Sequence, residues 1–108
     1  MWYIFPQLRG LGHSSMAKKY GITGLDEAYA YLTHDVLGPR LITICDAALA
    51  VDGRSATEIF GTPDDMKLRS CATLFAQVSN ANSVFQKIID KYFDGKSDRR
   101  TLELLNQN

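Results

Sequence analysis

Leu68, Cys71, Ala72, Phe75 and Val78 recur at i, i+3, i+4, i+7 and i+10, directly behind Thr62-Pro63-Asp64-Asp65. That spacing puts five apolar side chains on one face of a helix. The preceding tetrapeptide combines an N-cap residue, a proline at the first helical position and two early carboxylates that complement the helix dipole. A helix over 62–78 follows, and a stripe this regular suits the central helix of a core.

The rest of the chain repeats the pattern on a smaller scale. Ser14 or Ser15 can cap a short helix to about Tyr20, which Gly21 stops. Leu25, Ala28, Tyr29 and Leu32 predict an apolar face on a helix over 25–33, with Asp26 and Glu27 in its first turn. The next helix is expected to open at Gly38-Pro39, with Pro39 at its first position, and to end at Gly53. Leu41, Ile44, Cys45, Ala48 and Leu49 form its core stripe. Ser55-Ala-Thr-Glu58 is a capping box for a short helix ending at Phe60, closed by Gly61. Asn82 or Ser83 opens a helix carrying Phe85, Ile88, Ile89 and Tyr92, and Asp94-Gly95 ends it. Asp98 caps a last helix bearing Leu102 and Leu105. Strand signals are nearly absent. The expectation is an all-α, single compact bundle-like domain over 1–108, with about six or seven helices and short Gly/Pro connections.

Composition narrows the function classes. Twelve basic and twelve acidic residues cancel, so no electrostatic footprint for nucleic acid or an anionic membrane is present. No apolar run approaches the length needed to span a bilayer, and no signal peptide opens the chain. Cys45 and Cys71 fall within apolar helix faces as reduced core thiols. Metal-ligand spacings and cofactor fingerprints are missing, so neither a metal nor a cofactor is expected. Cytoplasmic localisation follows from the same features.

A block of bulky residues, Trp2-Tyr-Ile-Phe-Pro-Gln7, opens the chain. With Gly10-Leu-Gly-His-Ser14, Ala30-Tyr-Leu32, Leu37-Gly-Pro-Arg-Leu41, Ile59-Phe-Gly61, Asp65-Met-Lys67, Thr73-Leu-Phe75, Val84-Phe85 and Asp90-Lys-Tyr-Phe93, it resembles the DUF1810 family along essentially its whole length. The resemblance implies a small, mostly helical, bacterial-type domain of unknown function. Family members usually carry a further helix ahead of the Trp-x-x-Phe-Pro-Gln motif, so this chain is expected to be N-terminally shortened. Apolar surface uncovered in that way favours self-association through the N-terminal segment.

Four groups of residues offer chemistry. Trp2 and Phe5, with Tyr20, can wall an apolar pocket, and Gln7 beside Pro6 supplies an amide donor and acceptor; ordinary core packing accounts for the same aromatics. The turn from Gly10 through His13 to Ser14 ends at a helix N-terminus that can hold an anion, with Arg9, Lys18 and Lys19 nearby. A tight turn with a serine cap explains it equally. Lys67 and Ser70 share a helix face, where a lysine can activate a serine, and Asp65 can act as an acid or base; a solvated first turn with an Asp64–Lys67 pair is the plain alternative. Around the junction of the 25–33 helix and the next, Tyr31, His34 and Arg40 come together. There His34 favours protonation at a helix C-terminus and Arg40 can grip a phosphate or carboxylate.

The expected function is binding of a small molecule or protein partner through a pocket near the aromatic motif. Its candidate ligand-binding residues are Trp2, Phe5, Gln7, His13, Ser14, Tyr20, Arg40, Asp65 and Lys67. The alternative is a small enzyme acting on a phosphate- or nucleotide-containing substrate. It would use the Gly10–Ser15 turn as the anion site and His13 or Asp65 as acid/base.

Overall fold

A computed structural model describes Pro6, residues 21–62 and residues 64–106. The described residues form six helices: α1 (Leu25–Thr33), α2 (Leu37–Leu49), α3 (Ala56–Phe60), α4 (Asp64–Ala76), α5 (Val84–Tyr92) and α6 (Arg99–Asn106). The helix expected before Gly21 and the position of Pro63 lie outside the described residues. The all-α architecture matches the periodicity.

α4 is the hub, packed against α1, α3, α5 and α6, while α2 closes over α1 and α5. The predicted stripe of Leu68, Cys71, Ala72 and Phe75 is buried. So are Thr73 and Leu74, off that stripe, because α4 is covered on several sides at once. Tyr31 of α1 and Phe85 of α5 place their rings 5.6 and 5.5 Å from the ring of Phe75, tilted to it. Three helices thus meet on one aromatic pivot, in the inclined arrangement that ring quadrupoles prefer.

Local chemistry sets most helix ends. Ser55 and Glu58 form the reciprocal capping box of α3. The Ser83 hydroxyl accepts from the Gln86 amide to open α5. After Tyr92, Asp94 and Gly95 both take positive φ, and the amides of Phe93 and Gly95 donate to the Ile89 carbonyl. That pair of bonds satisfies carbonyl lone pairs a helix end leaves free. Asp98 Oδ2 accepts from the Thr101 amide at 3.0 Å and from its hydroxyl at 2.6 Å, capping α6.

Four sequence expectations shift. α2 begins at Leu37, so Pro39 is its third residue rather than its first. The reason is His34, whose Nδ1 accepts from the amides of Val36 at 3.1 Å and Leu37 at 3.2 Å and so starts the helix earlier. A proline there still removes only an N–H without an intrahelical partner. α2 also ends before Gly53, at Leu49. α4 stops at Ala76 instead of Val78, since the amides of Gln77, Val78 and Ser79 each bond three residues back. The chain tightens there into a narrower turn. On α1 the inward face is Ala28, Tyr31 and Leu32, whereas Leu25 and Tyr29 are 43% and 59% exposed.

Candidate functional site

Among the described candidates, Asp65 is the most constrained. It sits in the first turn of α4 and is 8% exposed. Its Oδ2 accepts the Thr57 hydroxyl at 2.6 Å, and its Oδ1 accepts the Met66 amide at 2.8 Å. The carboxylate is held by α3 on one side and the start of α4 on the other, where the helix dipole favours negative charge. One residue earlier, Asp64 pairs with Lys67 at 3.9 Å, with both side chains about a third exposed.

Ser70 does not turn its hydroxyl to Lys67. Its Oγ lies 3.1 Å from the Met66 carbonyl and 3.1 Å from Asp98 Oδ2. Asp98 is itself anchored by its amide, which donates to Thr73 Oγ1 at 2.8 Å. Arg69 donates to the carbonyls of Lys96 and Ser97. These bonds pin the connection into α6 against α4. Ser70 thus joins α4 to the start of α6, while Lys67 pairs with Asp64.

The Tyr31, His34 and Arg40 group also divides. His34 ends α1 as its C-cap, and its Nδ1 accepts from the amides of Val36 and Leu37 at the start of α2. Tyr31 turns inward, and burial pushes its phenol up, reinforced by Cys71 and opposed by Arg40. Arg40 is exposed on α2. Trp2, Phe5, Gln7, His13, Ser14 and Tyr20 lie outside the described residues.

A groove absent from the sequence reading lies between α1, α2 and the α4–α5 connection. Its volume is about 710 Å³. Leu32, Ile42, Val78, Val84 and Phe85 make its apolar surface. Asn80, Asn82 and Ser83 add carboxamides and a hydroxyl, Ser79 borders the groove with its own hydroxyl buried, and none of the described lining residues is charged. Arg40, Asp65 and Lys67 are not on its wall. Two signals were present in the sequence: Val78 continues the α4 stripe past the helix end, and Ile42 lies beside the α2 stripe on an outer face. A smaller depression of about 340 Å³ lies at the start of α1. There Glu27 Oε2 accepts from the Thr23 amide and, at 2.5 Å, from its hydroxyl, so the carboxylate closes its own helix end.

The family model described as "Protein of unknown function (DUF1810)" matches residues 1–105. The chain belongs to the DUF1810 family. The crystal structure of the conserved hypothetical protein Rv1873 from Mycobacterium tuberculosis is similar, with 54% sequence identity and a TM-score of 0.94. That likeness covers 97% of this chain and 75% of the mycobacterial one. No curated protein matches. The DUF1810 resemblance drawn from the ordered motifs is thus confirmed, and the helical fold agrees with that of the solved relative.

Proposed function

We propose that this DUF1810 chain is a binding domain, and that the groove between α1, α2 and the α4–α5 connection takes a small, uncharged molecule with an apolar body. One observation carries the reading: a concavity of about 710 Å³ with an apolar surface and a few neutral polar groups. Small-molecule sites are typically of about 300–1,000 Å³ and lined in that way. Leu32, Ile42, Val78 and Val84 would contact the body of the ligand, and Asn80 or Asn82 its polar end.

The engagement of Asp65 with Thr57, of Lys67 with Asp64 and of Ser70 with Asp98 supports binding over catalysis. A general base must be free to reach its substrate proton. The Trp2–Gln7 motif is the second apolar element assigned to ligand or partner contact, including self-association. Balanced charge favours a partner other than nucleic acid or an anionic membrane, and two reduced core thiols suit the cytoplasm.

The test is a backbone-amide NMR titration with a panel of small neutral amphiphiles. Saturable shifts are expected at Leu32, Ile42 and Val78–Phe85, and Ile42→Asp should abolish them. Saturable shifts centred elsewhere, or none with any compound, would overturn the assignment of the groove.

A further inference from the structure

We draw no further inference here: the strongest candidate, the buried hydroxyl of Ser79 beside the groove between α1, α2 and the α4–α5 connection, which has no hydrogen-bond partner among the described residues, is closed from solvent, so nothing in the structure shows what would reach it.

Discussion

The Thr57 hydroxyl donates to Asp65 Oδ2 at 2.6 Å, joining the five-residue helix α3 to the first turn of α4. A helix that short has little stability of its own, so its placement depends on such ties. Asp65→Ala should lower the unfolding free energy by about 1–2 kcal/mol, and Thr57→Val by somewhat less. The double variant should cost less than the sum, because one bond is lost twice. Urea titrations of the four proteins check this. Strict additivity would mean that the two residues act independently.

Gly38 marks the closest approach of α1 and α2. A Cβ built on it would stand 1.9 Å from the Leu32 carbonyl oxygen, which is backbone and cannot swing away. Gly38→Ala should therefore force the helices apart and cost about 3 kcal/mol or more. Gly53→Ala is the control: nothing among the described residues lies within 4 Å of its Cβ, and its positive φ is strained. A loss of about 1 kcal/mol is expected there. Comparing the two midpoints separates steric obstruction from backbone strain.

The residues that announced themselves in sequence are those whose partners are near in the chain. Ser55 with Glu58, Ser83 with Gln86 and Asp98 with Thr101 are all three apart, and each does what its spacing implies. The burial of α4 was equally plain, because a stripe over four turns points one way. Tyr29 and Tyr31 show where such reading stops. Both lie on α1, and only the position of Phe75, far along the chain, selects Tyr31 for the core. His34 is similar: it ends α1 as its position implies, and nothing in its local pattern shows that its ring also opens the next helix. The groove was hidden for the same reason: its walls come from segments distant in sequence. Ser70 looked available to Lys67 until the fold brought Asp98 beside it.

Burial pushes the Cys45 thiol from 9.0 up to about 12, with Asp46 adding to the effect, and raises Cys71 well above 9.0 through burial and then Cys45. Protonated, enclosed thiols are poor nucleophiles. At pH 8 both should resist a water-soluble thiol reagent in the folded chain and react promptly in urea. The linkage runs toward alkali. Folded-state values above the unfolded ones mean that the stabilisation is complete below about pH 9 and is lost as pH rises toward 12. Cys45 contributes a slope on the order of 1 kcal/mol per pH unit in that window, and Cys71 acts in the same direction. Urea midpoints at pH 8 and pH 10 test this. Cys45→Ala with Cys71→Ala should flatten the difference, and an equally steep fall in that variant would assign it to other groups.

Among the described residues, Ser79 Oγ is buried without a partner. An unsatisfied buried hydroxyl is unfavourable relative to its hydrated state, so Ser79→Ala should leave stability unchanged or raise it by about 1 kcal/mol. A clear loss, read as a lower thermal midpoint, would reveal a hydrogen bond to an ordered water.

At the end of α2, Lys91 Nζ donates to the Leu49 carbonyl at 2.5 Å and to the Val51 carbonyl at 2.8 Å, and the Tyr92 hydroxyl donates to the Ala48 carbonyl with the Val51 carbonyl 3.2 Å away. These donors stand 40 to 44 residues downstream. A peptide spanning α2 alone would lack every one of them and fray at that end. The last turn of α2 therefore gains these bonds only once the chain has closed a long loop and α5 is docked. Amide hydrogen exchange there should report on the whole domain holding together rather than on the helix to which those residues belong.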